Sequence, residues 1–331
     1  MSKIFRKIRQ VLLLSMLSLT LFLVVLEVSY RTFLFDFYKA ELNGLNTKET
    51  LTSEQPKILV IGDSFSAHPQ AYVSLLREHL HEYSVINAGV PGSCIKQHRI
   101  YAPKRIRQFD PKIFIYQFYT GNDIFEINHK TSDHNLSFAR KFYWQISDKL
   151  LGIQFLNFRF AGLLYKMRGD EVGLHKPKAT EVFSPDAYSK REKLNYQSDP
   201  AHLENTLLLR DGRQKDFEYF KIRFEEMSKL LPASTKKYFI IIPHQSETSA
   251  ASRQKHQQLG AQFDQPWAST VFAYPLYNEL YQMCRELDYE VIDFRLSIEG
   301  DSSRIYYEND PHLNYIGQTK LAEQVSYSIT K

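Results

Sequence analysis

Five short runs rich in β-branched and aromatic residues, separated by stretches with helical periodicity, leave this chain few architectures. The runs are Lys57 to Gly62 (KILVIG), Tyr83 to Asn87 (YSVIN), Ile113 to Tyr119 (IFIYQFY), Lys237 to Pro243 (KYFIIIP) and Glu290 to Phe294 (EVIDF). Runs of this kind suit strands buried on both faces. Helical spacing marks the segments at about 69 to 81, 95 to 108, 214 to 231, 275 to 287 and 315 to 328. The third shows it best, with Phe217, Phe220, Phe224, Met227 and Leu231 on one stripe. Strands alternating with helices predict an α/β fold with a parallel sheet covered on both faces, and such sheets bind ligands at the carboxyl ends of their strands.

Ahead of this pattern, Val11 to Leu26 (VLLLSMLSLTLFLVVL) is an apolar run preceded by Lys3, Arg6, Lys7 and Arg9 and followed by Glu27. No small-residue cleavage site follows it, which favours an uncleaved anchor over a signal peptide. Ser29, Tyr30, Phe33, Phe35, Phe37 and Tyr38 carry the run through the interface. The basic residues before the span predict a cytoplasmic N-terminus and an extracytoplasmic remainder, at the cell surface or in the periplasm. The expected organisation is therefore a cytoplasmic tip and membrane anchor over 1–38, a polar linker over 39–56, and one domain over 57–331. That domain is interrupted at about 124–213 by an aromatic-rich insertion, read as a helical subdomain on the core or as a lid over a substrate groove.

Composition narrows the function. The formal net charge of +5 comes from 42 basic and 37 acidic residues, and no Lys/Arg run is interleaved with aromatics, so nucleic acid is not an expected partner. Cys94 and Cys284 are distant in sequence and lack a CxxC or Cys/His neighbour, which predicts two buried thiols and no metal site. No cofactor is expected.

The chemistry-bearing residues fall just after the expected strands. Gly62-Asp63-Ser64-Phe65-Ser66 follows the first and would present the Ser64 hydroxyl at the carboxyl edge of the sheet. Asn87-Ala88-Gly89-Val90-Pro91-Gly92-Ser93 follows the second and can aim a backbone N–H at the same edge. Tyr119-Thr120-Gly121-Asn122-Asp123 follows the third and offers a side-chain amide; with the Ser64 N–H these donors would form an oxyanion hole. Near the C-terminus, Asn309-Asp310-Pro311-His312-Leu313-Asn314 supplies a histidine with a nearby carboxylate. His244 follows the fourth run and is a candidate substrate contact, as are Asp63 and Asp123 for support of the site.

The ordered set GDSFS, NAGVPG, TGND and DPHLN resembles the four signature blocks of the SGNH (GDSL-like) hydrolases, over roughly residues 57 to 328 without the insertion. The resemblance implies a flavodoxin-like three-layer α/β/α sandwich acting on acyl groups. It also implies Ser64 as nucleophile, Ser64, Gly89 and Asn122 as the oxyanion hole, and His312 as base with Asp310 as its partner. Three positions depart from the family pattern: Phe65 stands where a leucine is usual, Thr120 where a glycine is common, and Asn309 where the acid usually lies three residues before the histidine. Asp310, two residues before His312, takes the acid's place.

Together these readings predict a membrane-anchored serine esterase acting on acyl esters of an extracytoplasmic carbohydrate. Two alternatives share the fold: an O-acyltransferase using the same residues, working with an envelope-biosynthesis partner, and a catalytically silent glycan-binding or scaffold module. A phosphate-binding flavodoxin-like domain would explain the first block but leave Asn122 and His312 without a role.

Overall fold

The computed structural model describes all residues except 1–2, 131–135, 168–180, 269 and 300–303. Five strands, β1 (Lys57–Ile61), β2 (Ser84–Asn87), β3 (Ile113–Tyr119), β4 (Lys236–Ile242) and β5 (Glu290–Asp293), form one sheet in the order β2-β1-β3-β4-β5. Every pairing is parallel. This is the flavodoxin-like order, and chain direction across the sheet reverses between β1 and β3. The strands lie within a residue of the runs read from the sequence; β1 to β4 are buried along most of their length, and β5 at the sheet edge over its second half.

Among the described residues the helices are α1 (Lys3–Arg31), α2 (Lys39–Leu45), α3 (Lys48–Thr52), α4 (Tyr72–His79), α5 (Ile95–Phe109), α6 (Phe138–Ser147), α7 (Leu151–Met167) and α8 (Lys190–Ser198). They continue with α9 (His202–Leu207), α10 (Arg213–Ser228), α11 (Gln245–Thr248), α12 (Ala250–Gln258), α13 (Pro275–Glu286), α14 (Phe294–Ile298) and α15 (Tyr315–Thr330). Alternate strand residues feed the two faces of the sheet. On one face Ile58, Val60, Ile113, Ile115 and Ile240 pack with Tyr72, Val73 and Leu76 of α4 and Leu321, Ala322 and Val325 of α15. On the other, Tyr116 and Phe118 of β3 and Phe239 of β4 meet Phe220 and Phe224 of α10 with ring centroids 4.8 to 6.4 Å apart. The result is the three-layer α/β/α sandwich.

Contact density divides the chain into two units: one holds Tyr38–Phe138 and His175–Lys331, the other Met1–Phe37 and Ala139–Leu174. In the sheet-bearing unit, the stretch expected to be a linker contains α2 and α3, with Leu42 and Asn46 buried. Asn46 does what a further strand would do at the edge of β2. Its amide accepts from Asn87 N at 2.8 Å and donates to Asn87 O at 2.7 Å, satisfying both backbone groups of the last β2 residue. Arg77 Nη2 also donates to Asn46 Oδ1, at 2.8 Å. A polar, turn-rich composition hides this role, because a single asparagine carries it.

In the other unit, α1 spans 29 residues, about 43 Å at 1.5 Å per residue, and is long and apolar enough to cross a membrane. Residues 139–167 of the insertion belong with this helix and not with the sheet. The Glu27 carboxylate accepts from the backbone N–H groups of Leu151 at 3.2 Å and Gly152 at 2.7 Å, satisfying the open amide end of α7. Gly152 is needed there, since an added Cβ would stand 3.0 Å from Leu26 Cγ and 3.2 Å from Glu27 Oε2.

Asn46→Ala leaves the Asn87 amide and carbonyl unpaired inside the protein, at a cost of about 1–3 kcal/mol. A near-ultraviolet circular dichroism melt of the full chain in detergent should show a lowered midpoint; an unchanged melt would return residues 39–56 to the status of a passive tether.

Candidate active site

The site is assembled where β1, β2 and β3 end. Ser64 is half-buried on the turn after β1, between the fully buried Asp63 and Phe65. This turn is fixed from beneath. Gln117, buried in the middle of β3, uses its side-chain oxygen to accept from Asp63 N at 3.1 Å and from Ser66 Oγ at 3.0 Å. Asp63 Oδ1 accepts from Phe65 N at 2.9 Å, and Asn87 Nδ2 donates to Ser66 O at 2.7 Å. The close approach demands glycine at two positions. A Cβ on Gly62 would lie 2.4 Å from Gln117 Oε1, and one on Gly89 would lie 3.0 Å from Ser66 Cβ and 3.2 Å from Ala67 N.

His312 reaches this turn from the loop before α15. Tyr306 and Leu313 form an antiparallel bridge, Tyr307 N donates to His312 O at 3.1 Å, and Asn314 caps α15 by accepting from Gly317 N at 3.0 Å. The His312 ring then lies with Nε2 2.8 Å from Ser64 Oγ. Nδ1 is hydrogen-bonded to Asp310 Oδ1, which also accepts from the His312 backbone N–H at 2.9 Å. One carboxylate oxygen thus closes a tight turn and holds the ring, which is how a two-residue spacing between acid and histidine works. Asn309 is committed elsewhere: its side chain accepts from Ser184 N at 2.8 Å and donates to Val182 O at 3.1 Å. Phe65 lies against the His312 ring, centroids 4.9 Å apart, and against Tyr119 at 4.2 Å.

Burial alone would lower the His312 pKa, but the charge and hydrogen bond of Asp310, with help from Asp63, raise it above the ordinary imidazole value. Arg191 acts the other way through its positive charge. That arginine, in α8, is paired with Glu126 at 2.6 Å and would lie 3.0 Å from a Cβ on Gly92; nothing in the sequence pattern around it points to the site. Asp63 and Asp123 are both buried and both raised above the carboxylate range by that burial, Asp123 further by the charge of Asp63. Asp123 Oδ2 accepts from Tyr119 N at 2.8 Å. Both carboxyls lie beneath the surface of the site.

The expected oxyanion donors are differently disposed. The amide of half-buried Asn122 interacts with the Asp63 carboxylate, and its side-chain oxygen is buried with no hydrogen-bond partner among the described residues. Gly89 N–H donates to Asn87 Oδ1 at 3.0 Å, so it is already engaged. His244, expected near substrate, is fully buried. Its Nδ1 accepts from Ser246 N at 3.1 Å, which puts the ring proton on Nε2, 3.2 Å from Glu192 Oε1. Burial lowers its pKa to about 3. Thr120, standing where a glycine was expected, is bound to the buried Glu247 carboxylate and accepts from His244 N at 2.8 Å.

Glu192, His244 and His256 bring three ligand-type atoms within 4.8 Å of one another. Burial keeps both imidazoles neutral, as a metal would require. Hydrogen bonds already account for the arrangement: Tyr196 OH donates to Glu192 Oε1 at 2.9 Å and lies 2.6 Å from His256 Nδ1. Cys94 and Cys284 are buried free thiols, and burial pushes the Cys94 thiol up to about 12.

Fold and side chains together define an α/β sandwich with a hydrogen-bonded Ser–His–Asp chain at the carboxyl edge of its parallel sheet. No protein-family model matches the chain, and no curated protein matches it in sequence. Among solved structures it is similar to TesA, with 14% identity, a TM-score of 0.39, and 83% of this chain and 98% of that one covered. It is also similar to the acetyl xylan esterase AlAXEase, with 10% identity, a TM-score of 0.40, and 82% and 99% covered. A third is Axe2, an acetylxylan esterase from Geobacillus stearothermophilus, with 13% identity, a TM-score of 0.40, and 83% and 94% covered.

The reactivity of Ser64 can be read with a fluorophosphonate, which phosphonylates serines that a neighbouring base deprotonates. Because only neutral His312 can act, labelling should rise with pH through a midpoint above the ordinary imidazole value of about 6.5. Asp310→Asn should slow labelling by roughly 10²- to 10⁴-fold and move the midpoint down. An unchanged profile would show that another group governs Ser64.

Proposed function

We propose that this protein is a serine esterase that removes acyl groups from an extracytoplasmic carbohydrate while held at the membrane by α1. The observation that carries the reading is the unbroken chain from Ser64 Oγ through His312 to Asp310. A serine hydroxyl is a weak nucleophile until a neighbouring base takes its proton as it attacks. With Nδ1–H held by Asp310, His312 Nε2 is the accepting nitrogen and faces Ser64 Oγ.

In the proposed reaction, Ser64 Oγ attacks the ester carbonyl and His312 takes the hydroxyl proton. Negative charge develops on the carbonyl oxygen, where the Ser64 N–H and the Asn122 amide would receive it. Gly89 N–H joins them only by sharing or breaking its bond to Asn87. As the tetrahedral intermediate collapses, His312 protonates the departing alcohol and the acyl group stays on Ser64. Water then attacks the acyl carbon as His312 takes its proton, and His312 returns that proton to Ser64 Oγ as the bond to the acyl group breaks and the acid leaves. Asp310 keeps its negative charge throughout and stabilises the imidazolium. Asp63 and Asp123 hold the floor of the site and take no part in proton transfer.

The cellular setting follows from α1 and the basic residues before it: the N-terminus stays in the cytoplasm and the sheet-bearing unit works outside, on an envelope or exported glycan. Replacing water by a sugar hydroxyl as the acceptor would turn the same residues into an O-acyltransferase, with an envelope-biosynthesis partner delivering acyl groups.

The test is hydrolysis of a short-chain aryl acetate by the full chain in detergent, with Ser64→Ala alongside and with an oligosaccharide acceptor added. Turnover lost in Ser64→Ala supports the esterase, and acetyl appearing on the sugar moves the conclusion to transfer. Folded protein that neither turns over the ester nor reacts with fluorophosphonate would leave a silent module. Asn122→Ala should lower kcat by roughly 10²- to 10³-fold if its amide serves the oxyanion.

A further inference from the structure

We propose that the α6–α7 part of the insertion is a second membrane contact, lying in the lipid headgroup and upper acyl region around the exit of α1. This extends the reading of α1 as an anchor and rests on it.

The inference starts from where α7 touches α1. Its first residues are bound by Glu27 and packed on Leu26, which belong to the last two turns of α1. One turn on, the Phe155 ring lies 5.6 Å from Tyr30 and 5.0 Å from Phe37. A further turn on, Arg159 donates to the carbonyl of Phe37. Successive turns of α7 therefore meet residues at and beyond the C-terminal end of α1, and α7 does not run back along the apolar span. The start of α7 thus lies level with the last turns of α1, where the anchor would leave the bilayer, and its following turns advance past that end.

The composition of this collar suits that depth. The rings of Tyr30, Phe33 and Phe155 each lie against Phe37, and Arg159 sits 5.0 Å from the Phe155 ring and 5.3 Å from the Phe158 ring. Aromatic rings and arginine stems favour the interface, where one end is apolar and the other wet. The apolar side is not used up by α1: Phe160 and Leu163 of α7 are 60% and 53% exposed, and the apolar residues of α1 up to Val28 are exposed as well. Exposed apolar side chains on a helix that packs against the end of an apolar span select lipid as the occupant.

The experiment places a single probe on that face in the full-length chain. Cys94 and Cys284 are buried, so Phe160→Cys or Leu163→Cys can be labelled selectively with an environment-sensitive fluorophore. The labelled protein is reconstituted into phosphatidylcholine–phosphatidylglycerol vesicles. Leu17→Cys in α1 reports the anchor independently, and Ile222→Cys on α10 gives the aqueous reference; both positions are exposed. We expect probes at 160 and 163 to be quenched at least threefold more by a shallow nitroxide phospholipid than the probe at 222, and to be shielded from iodide. Iodide quenching equal to that at 222, with the probe at 17 in lipid, overturns the inference and leaves the anchor standing. Shielding from both quenchers overturns it in favour of a protein partner on this face. A probe at 17 that is open to iodide removes the anchor and the inference together.

Discussion

A buried polar side chain inside a strand must find hydrogen bonds, and the way Gln117 finds them sets the geometry on which the site depends. Its side-chain oxygen has no partner on its own strand and takes two from the turn after β1, Asp63 N and Ser66 Oγ. That turn cannot slide along β3 without breaking both of these bonds. Asn87 grips the turn from the β2 side through Ser66 O, and the absence of a side chain on Gly62 and Gly89 lets the three segments close. Ser64 is thereby lifted between two buried neighbours at the point where sheet order reverses. The hydroxyl is placed by its neighbours' hydrogen bonds, leaving its own oxygen to His312.

Electrostatics divide the acidic groups of the site into two jobs. Asp310 is partly exposed and bound to His312, and its interaction raises the imidazole. Asp63 and Asp123 are buried near one another, where two full charges are costly, and burial moves both toward the protonated form. The exposed carboxylate tunes the base and the buried pair shapes the floor. Glu247 extends the floor beneath β4 by binding Thr120, His244 N and Tyr277, the last at 2.8 Å.

How much of this was legible in sequence follows from how local each signal is. The strands could be read because each is a short run dominated by β-branched and aromatic residues, and Ser64, Asp310 and His312 because each sits in a short block beside a strand or helix end. Gln117 could not be found: one polar residue within IFIYQFY has no local signature, and its partners lie more than 50 residues away in the chain. Asn46 was hidden in the same way, by a composition that reads as a tether while its partner Asn87 belongs to another block. His244 misled in the opposite direction, since a histidine after a strand suggests the open edge of a sheet. Here its own backbone and ring cap α11, which turns the side chain inward.

The insertion shows why domain boundaries are harder to read than motifs. Its segments lie together in sequence, yet residues 139–167 group with 3–37, while 124–130 and 181–213 group with the sheet. Nothing local separates them, because an apolar face suited to a protein core and one suited to a membrane interface use the same residues. The deciding contact is a single charged group, Glu27, placed just after the apolar run of α1. Its partners are Arg31 on its own helix and the backbone amides of a helix that begins more than 120 residues later. Arg31 balances the charge of Glu27 while the carboxylate caps α7, and that cap couples the end of α1 to the middle of the chain.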